Sequence, residues 1–339
     1  GANGLESITQ SDKNLISETS VEGPISWVAI RNKYFALAIV PDEPAGGAKL
    51  ESVGGPIGDN NNEEFFEDRS LSPIYAVSLT DNSQSKKNKG LSYTTYLGPL
   101  DIDHISKLNS NVDQIMNFGW SIIQPFSRFV LWGAKYLHSL LGLNYGFIII
   151  LIALIMRVVM GPLTKKSAES SSKMQKIAPL QKKIQDKHKD NPQKLQQEMA
   201  KLWKEHNYNP ISGCLPMLLQ TPILMSFFIV FRSTIEFRGE PFIFWISDLS
   251  KPDFIFNLPF SISIPFYGDA VAVLPIIMGI SMFLTMSVTM QDKSQKTMMY
   301  FMNGFFVLIF NAFPSGLTLY YTVFNFLSYQ QQLSIKKNS

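Results

Sequence analysis

The sequence predicts an α-helical membrane protein with five spans, preceded by a β-rich domain. Most of the acidic residues precede residue 140, and the rest of the chain alternates long apolar runs with short polar ones. Several of these runs approach the roughly 20 residues that a helix needs to cross a bilayer. The first run contains a cation, Arg157, and such a residue inside a membrane span is usually functional.

Residues 1–118 form the predicted β-rich domain. The stretch from 1 to about 24 is polar and lacks periodicity, so we expect a linker or a mobile end there. Pro-Ala-Gly-Gly at 44–47 and the acidic stretch at 59–64 are typical of loops. Runs rich in β-branched and aromatic residues predict strands between these loops. The runs are 27–40, 73–80 and 91–99.

Two helical segments are predicted between this domain and the first span. The first covers residues 101–117, and the second is an amphipathic helix at 119–140 that mixes aromatic with basic side chains. That mixture favours the membrane surface, although a soluble helix packed on the β-rich domain is an alternative. The residues are Trp120, Phe126, Phe129 and Trp132, with Arg128, Lys135 and His138.

Residues 141–335 form the predicted transmembrane core. The loop at 165–209 carries eleven lysines against five acidic residues, so the positive-inside rule places it in the cytoplasm. The loop at 236–270 has five acidic against two basic residues and is placed outside. Five alternating crossings then put the β-rich domain outside and the basic tail inside. The spans are 143–163, 211–235, 271–290, 298–313 and 316–334.

The basic loop contains a predicted antiparallel helical hairpin at 165–208. Its apolar residues recur at helical spacing, and Asn191-Pro192 supplies an N-cap followed by proline at the first helical position. We expect the first arm to bend or restart at Pro179. The hairpin suits anionic lipid or an acidic partner such as ribosomal RNA. A solvated pair of helices that packs only on itself is the alternative.

The residue inventory argues against an enzyme, a metal site or a cofactor. Only four histidines occur, and the sequence has no His-Glu-x-x-His pair, no Gly-x-Ser-x-Gly elbow and no glycine-rich phosphate loop. Ser315 has no intramembrane histidine to activate it and reads as a turn residue. The single cysteine, Cys214, reads as a packing residue. We therefore predict no catalytic residues.

Arg157 lies in the cytoplasmic half of its span, about 18 Å from Tyr145 at 1.5 Å per residue. It could snorkel to the interface, but the later spans offer no Asp or Glu near the midplane to pair with it. A hydrated polar cavity would accommodate the charge and attract a negative charge from a small anion or a peptide. The predicted lining residues, with Arg157, are Gln220, Thr285, Asn303, Tyr321, Thr322 and Asn325.

Four motifs downstream of the arginine carry a family resemblance. They begin at Asn209-Pro-Ile-Ser-Gly-Cys-Leu-Pro, Phe242-Ile-Phe-Trp-Ile, Leu274-Pro-Ile-Ile-Met-Gly and Phe313-Pro-Ser-Gly-Leu-Thr. In this order, from about 119 to 333, the chain resembles the bacterial YidC membrane protein insertases. Residues 26–118 are similar to the rear of the periplasmic β-sandwich of Gram-negative members. The front of that sandwich, a first anchor and an initiator methionine are missing, so we expect a processed or truncated chain.

The resemblance implies a five-helix core around a hydrophilic groove that opens to the cytoplasm and to lipid. Arg157 matches the groove arginine, which receives the polar or acidic outer segment of a substrate, and 211–235 and 298–313 match the helices along which substrates slide. Ala153 replaces a hydroxyl residue of some relatives. The implied protein is an insertase and chaperone of the bacterial inner membrane, with its N-terminal domain periplasmic and its C-terminus cytoplasmic.

The resemblance also implies partners. These are nascent membrane proteins, the Sec translocon, the ribosome and membrane lipids, but not DNA, and the insertase would work alone or beside the translocon. Two other functions stay open on the residues alone. One is a small-anion transporter or channel with Arg157 as its binding cation, although the chain lacks the internal repeats typical of transporters. The other is a scaffold in which Arg157 binds a lipid phosphate.

Overall fold

A computed structural model describes most of the chain, which divides into two compact units. One unit comprises residues 1–117 with 233–236, and the other comprises 118–232 with 237–339. The described residues are 5, 7, 17–53, 74–80, 92–108, 111–189, 191–206, 208, 210–258, 267–268, 270–289 and 293–337. Within these, the side chains of 17, 53, 74, 166–176, 210–219, 289, 293–297 and 335–337 are not described.

The first unit contains two three-stranded antiparallel sheets, which confirms the predicted β-rich domain. One sheet has the strand order β1-β4-β5 and the other β2-β3-β6, and β2 contacts β5. The strands are β1 Ser17–Ile25, β2 Val28–Arg31, β3 Phe35–Pro41, β4 Ala45–Val53, β5 Ile74–Thr80 and β6 Tyr93–Pro99. The predicted acidic loop at 59–64 lies outside the described residues.

Two of these strands occupy stretches for which the sequence predicted no strand. β1 overlaps the end of the expected linker, and β4 begins at Ala45, inside the stretch 44–47 that was expected to be a loop. Gly47 explains the second case, because a Cβ there would lie only 3.0 Å from the backbone oxygen of Val21 on β1. The glycine therefore serves close strand pairing rather than a turn.

A charge cluster also ties β1 to β4. The ammonium of Lys49 lies 2.5 Å from the carboxylate of Glu51 and 3.1 Å from that of Glu18 on β1. Hydrogen bonds to these two carboxylates raise the pKa of Lys49 above its ordinary value. The polar side chains of β1 gave no strand pattern in the sequence, yet one of them, Glu18, takes part in the pairing with β4.

The helix expected at 101–117 is a set of short turns instead. A four-residue helix, α1 Ile102–Ile105, is followed by 3₁₀ turns at Ser106–Leu108 and Val112–Ile115. Asn111 has a left-handed backbone with φ of 57° just before the last turn. A single left-handed residue interrupts the helical ladder, which is why the helical pattern does not become one helix.

The predicted amphipathic helix is present as α2 Gln124–Leu141, which ends at the left-handed Gly142. Its rings form an exposed row, because Trp132 lies 6.0 Å from Phe129 and 5.5 Å from Tyr136 between ring centroids. The opposite face is buried at Ser127, Leu131 and Ala134. Its place at the membrane surface stays a prediction.

One long helix, α3 Tyr145–Lys187, combines the first predicted span with the first arm of the predicted hairpin. The expected restart at Pro179 is wrong, since the helix continues through both Pro162 and Pro179. A proline removes one hydrogen bond from the helical ladder. In a helix of 43 residues, the bonds on either side keep the chain helical.

The second arm is α4 Pro192–Glu205. The side-chain oxygen of Asn191 accepts a hydrogen bond of 3.0 Å from the backbone N–H of Lys194. This confirms the predicted N-cap, and Pro192 occupies the first turn as expected. α3 and α4 contact each other, as a hairpin requires.

Four further helices overlap the four remaining predicted spans. α8 packs against α3 and α6, and α6 packs against α7. α5 reaches α8 through the rings of Phe227 and Tyr320, whose centroids are 4.1 Å apart. α8 is therefore the central helix of this unit. The four are α5 Pro210–Ser233, α6 Leu274–Thr289, α7 Lys293–Phe310 and α8 Ser315–Lys337.

Within the described residues, one stretch is long and apolar enough to cross a membrane, Tyr145–Lys165 at the start of α3. Leu274–Val288 and Met298–Phe310 are also apolar but shorter. The helical core agrees with the predicted fold class. The number of crossings stays a prediction.

The described part of the segment between α5 and α6 includes two paired antiparallel strands, β7 Phe254–Asn257 and β8 Ala270–Ala272. Asp253 is buried, and one of its carboxylate oxygens accepts hydrogen bonds of 2.8 Å from the indole N–H of Trp245 and from the backbone N–H of Leu274. A carboxylate at this place satisfies free donors at the start of α6.

Asn311, just after α7, binds the same segment. Its amide nitrogen donates to the backbone oxygens of Tyr267 and Ala270, each at 2.7 Å, and its amide oxygen accepts from the N–H of Ala272 at 2.9 Å. Asn311 is fully buried. Its hydrogen bonds fix β8 against the end of α7.

The α7–α8 turn is held by the loop that precedes β7. The hydroxyl of Ser315 donates to the backbone oxygen of Asp248 at 2.8 Å, and the N–H of Gly316 donates to that of Leu249 at 2.9 Å. A Cβ at Gly316 would lie 3.0 Å from this oxygen and from the ring of Phe231. Ser315 is therefore the first residue of α8 and holds the turn that precedes it, whereas its sequence context predicted a residue of the turn itself.

Candidate functional site

Arg157 is the charged residue around which the candidate site is built. It lies on α3 and is 9% exposed. Its buried Nε and Nη2 atoms have no hydrogen-bond partner among the described residues. The ring of Phe324 on α8 lies 5.4 Å from Cζ, which is within the range of a cation–π contact. The guanidinium thus has an aromatic face beside it but retains unused donors.

The face of α8 that meets α3 near the arginine carries Phe324, Ser328 and Gln331, which are spaced so that they share one side of the helix. The hydroxyl of Ser328 is occupied, because it donates to the backbone oxygen of Phe324 at 2.7 Å. The side-chain oxygen of Gln331 is buried without a partner among the described residues.

Gln331 on α8 lies beside Gly161, one turn after Arg157 on α3. The amide nitrogen of Gln331 lies 3.6 Å from the position that a Cβ on Gly161 would occupy. The interface of α3 and α8 therefore holds buried donors at Arg157 on α3 and a buried acceptor at Gln331 on α8. The acceptor lies about one helical turn from the donors, at the level of Gly161. We name this part of the interface, defined by Arg157, Gly161, Phe324 and Gln331, the arginine seam.

Of the other predicted lining residues, Gln220 and Tyr321 lie together. The amide nitrogen of Gln220 on α5 donates to the hydroxyl of Tyr321 on α8 at 3.2 Å. The Tyr321 ring also packs edge-on against Phe310 at 5.7 Å. This pair links α5 to α8 beside the stacked rings of Phe227 and Tyr320.

Thr285 and Asn325 also lie together, at the contact between α6 and α8. The hydroxyl of Thr285 is 3.0 Å from the backbone oxygen of Asn325 and equally close to that of Ser281 in its own helix. Thr322 donates to the backbone oxygen of Thr318 at 2.8 Å, within α8. The hydroxyls of Thr285 and Thr322 thus donate hydrogen bonds to backbone oxygens.

Asn303 lies between α6 and α7. Its amide nitrogen donates to the backbone oxygen of Gly279 at 2.9 Å, and its buried side-chain oxygen has no partner among the described residues. A Cβ at Gly279 would overlap Val307, so the two helices approach closely here. Asn303 joins two helices, and its assignment to the groove stays a prediction.

Sequence reasoning missed Phe324, Gln331 and Gly161. Phe324 and Gln331 are seven residues apart and therefore share a helix face, but this spacing alone does not mark the face as functional. What the sequence lacks is the pairing of α8 with α3, which decides that this face meets Arg157.

The hairpin of α3 and α4 encloses a separate surface pocket of about 420 Å³. The indole N–H of Trp203 and the amide nitrogen of Gln181 are buried without partners among the described residues. This pocket does not include Arg157. The lining residues are Gln185, Leu195, Gln196, Met199 and Trp203.

The surface of the hairpin carries exposed ion pairs. On α4, the Lys201 ammonium lies 2.9 Å from the carboxylate of Glu198. This hydrogen bond lowers the pKa of Glu198 and raises that of Lys201 from their ordinary values. Because both side chains are solvated, the pair adds little stability.

Comparison with known proteins gives the same family for both units. A family model described as "60Kd inner membrane protein" matches residues 136–339, and one described as "YidC periplasmic domain" matches residues 3–132. Chlorobium phaeovibrioides has a relative named membrane protein insertase YidC that is 39% identical over 327 residues, which is 94% of this chain and 53% of that protein. A protein of the same name in Chlorobium limicola is 38% identical over 340 residues, 99% of this chain and 56% of its own length.

A solved structure described as an active YidC insertase with its first transmembrane domain resolved is also similar. It has 22% sequence identity and a TM-score of 0.48, and covers 95% of this chain and 80% of that one. The chain spans about half the length of the curated relatives that it matches.

Proposed function

The chain belongs to the 60Kd inner membrane protein family, which includes the YidC insertases, and from this premise we propose that it is a membrane protein insertase and chaperone. It receives the polar outer segment of a substrate from the cytoplasmic side at Arg157 and releases the apolar segment into lipid. It works alone or with the Sec translocon. No covalent step is involved, so it is not an enzyme.

The observation that carries this proposal is the state of Arg157. The guanidinium is buried on the one described helix that is suited to cross a membrane, and its Nε and Nη2 atoms lack partners among the described residues. Burying such groups unpaired costs free energy. An acidic or polar segment of a substrate would supply acceptors to these donors and form charge-assisted hydrogen bonds.

The proposed topology has five crossings in the bacterial inner membrane. The N-terminal β-rich unit is periplasmic, and the hairpin and C-terminus are cytoplasmic. The charge difference between the loops at 165–209 and 236–270 supports this orientation. The family description as an inner membrane protein supports the location.

The proposed partners follow from the activity. Nascent membrane proteins are the substrates, and lipid is their destination. The exposed lysines of α4 and of the end of α3 support docking of an acidic surface, such as ribosomal RNA, on the hairpin. The Sec translocon is a further proposed partner, which family membership supports.

The test is insertion of a single-span protein with a short acidic outer tail into proteoliposomes. Wild type is compared with Arg157→Ala and Arg157→Lys. A charge-assisted hydrogen bond contributes about 1.5–3 kcal/mol, so the alanine variant is expected to lose about tenfold or more of insertion. The lysine variant retains the charge and is expected to keep part of the activity.

A substrate with an uncharged outer tail is the matched control. Its insertion is expected to fall much less in Arg157→Ala, because no carboxylate meets the guanidinium. Normal insertion of the acidic tail by the alanine variant would contradict the proposed role. Flux of a small anion through the wild-type vesicles, lost in the same variant, would instead favour an anion channel.

A further inference from the structure

The segment that joins α5 to α6 contains a turn, residues 240–246, with an unusual residue at its tip. Phe244 has φ of +60° and is 86% exposed. A bulky side chain rarely adopts this left-handed conformation, and it persists only where the surroundings impose it. Here the N–H of Phe242 donates to the oxygen of Ile246 at 2.8 Å, and that of Leu249 donates to the oxygen of Glu240 at 3.0 Å. These bonds close the turn and direct the ring of Phe244 outward.

The turn is attached to the first turn of α3. The side chain of Asn144, which caps α3, donates to the backbone oxygen of Pro241 at 2.8 Å. The ring of Phe242 covers Gly146, where a Cβ would overlap it, and packs edge-on against Phe147 at 5.1 Å. Phe244 therefore lies near the beginning of the stretch Tyr145–Lys165, which is suited to cross a membrane.

A second attachment holds the other side of the turn. The indole N–H of Trp245 donates to buried Asp253, whose carboxylate also binds the N-terminus of α6. Ile243 and Phe244 are exposed, and the centroid of the Phe244 ring is 5.9 Å from that of Trp245. The polar edge of the tryptophan thus points into the protein, and the tip presents only apolar side chains.

We propose that this turn is a lipid anchor, with Ile243 and Phe244 inserted into the interface of the bilayer leaflet at the N-terminal end of α3. Phe and aliphatic side chains of interfacial segments insert at the boundary of headgroups and acyl chains. The attachment to the start of α3 places the turn where the bilayer surface lies, so lipid is the occupant that the geometry favours. This inference rests on the proposed crossing of the membrane by α3.

Spin-label accessibility tests the anchor in vesicles of phosphatidylethanolamine and phosphatidylglycerol that contain the full chain. The native cysteine is removed by Cys214→Ser, and a nitroxide is attached at Ile243→Cys. Phe244→Asn is the key variant, because asparagine tolerates the left-handed backbone but is not apolar. Phe244→Leu keeps an apolar tip.

Two further labels supply references. Val158→Cys reports on the exposed surface of α3 within the proposed span, and Lys194→Cys reports on the solvated hairpin. We expect the ratio of oxygen to aqueous nickel accessibility at 243 to exceed that at 194 several-fold. The ratio is expected to fall close to the aqueous value in Phe244→Asn and to persist in Phe244→Leu.

The outcomes separate the anchor from the proposed topology. An aqueous label at 243 together with a lipid-exposed label at 158 would overturn the anchor and leave the crossing of α3 intact. The turn would then be a candidate surface for a protein partner. A label at 158 that is not in lipid would overturn the crossing, and the anchor with it. A high ratio at 243 that Phe244→Asn leaves unchanged would also overturn the role of Phe244.

Discussion

Replacing Arg157 by methionine separates a structural role of the arginine from a substrate-binding role. If the arginine locks helices together, its removal lowers stability. If it is kept for a substrate, its removal leaves stability unchanged or raises it. Methionine is a suitable replacement because it is unbranched, apolar and adaptable.

The expected change in the free energy of unfolding follows from the contacts of the guanidinium. Each buried hydrogen-bonding group without a partner costs about 1–3 kcal/mol, and Nε and Nη2 are two such groups among the described residues. The variant loses the contact with Phe324, which contributes about 0.5–2 kcal/mol. Replacement of buried ionic groups by apolar ones is often neutral or stabilising by about 1–4 kcal/mol. We expect the free energy of unfolding of Arg157→Met to equal that of wild type or to exceed it by up to about 4 kcal/mol.

The assay is thermal unfolding in detergent, and insertion is measured after the same preparations are reconstituted into proteoliposomes. Arg232→Met is the matched control, because this arginine lies 5.5 Å from the ring of Phe228 but is exposed near the C-terminal end of α5. A cation there interacts favourably with the helix dipole by about 0.3–1 kcal/mol, so its loss is expected to lower stability slightly. A clear fall in the apparent Tm of Arg157→Met would refute the reasoning and identify the arginine as a structural residue.

Four other substitutions are tested by thermal unfolding. Phe324→Leu is expected to cost about 0.5–2 kcal/mol in the wild-type background and less in the methionine variant, and an equal cost in both would contradict the cation–π contact. Gly133→Ala, where the new Cβ meets nothing within 4 Å, is expected to stabilise α2 by about 0.5–1 kcal/mol. Gly146→Ala should destabilise, because its Cβ overlaps Phe242, and a stabilised variant would show that the ring moves freely. Asp253→Asn removes the charge that binds the start of α6 and is expected to cost about 1.5–3 kcal/mol, so an unchanged Tm would contradict that role.

The sequence was sufficient to predict an element where one local signal decides its structure. Asn191 followed by Pro192 predicted the start of α4, and the aromatic and basic pattern at 119–140 predicted α2. The sequence misled where the reason for a residue lies on another strand. Gly47 looks like a turn glycine, yet its small size serves the close approach of β1.

The candidate site was only partly predictable for the same reason. Arg157 stands out because a cation inside an apolar run is costly wherever the helix packs. Gln220 and Tyr321 were named separately as polar residues, and only the packing of α5 on α8 makes them a pair. Phe324 looks like any apolar residue of a span, so nothing local marks it as the neighbour of the guanidinium.

The distribution of hydrogen-bonded polar groups bears on the proposed binding of substrate at the arginine seam. At the end of the helical unit near residues 240–273, buried Asn311 and Asp253 each make several hydrogen bonds. At the arginine seam, the guanidinium and the side-chain oxygen of Gln331 have unused capacity among the described residues. The side-chain oxygen of Asn303 on α7 is also buried without a partner among the described residues, so unused hydrogen-bonding capacity is not confined to the seam. The seam differs because its unused donors belong to a cation, which is the costliest group to leave buried without a partner. This supports the proposal that an acidic or polar ligand pairs with Arg157.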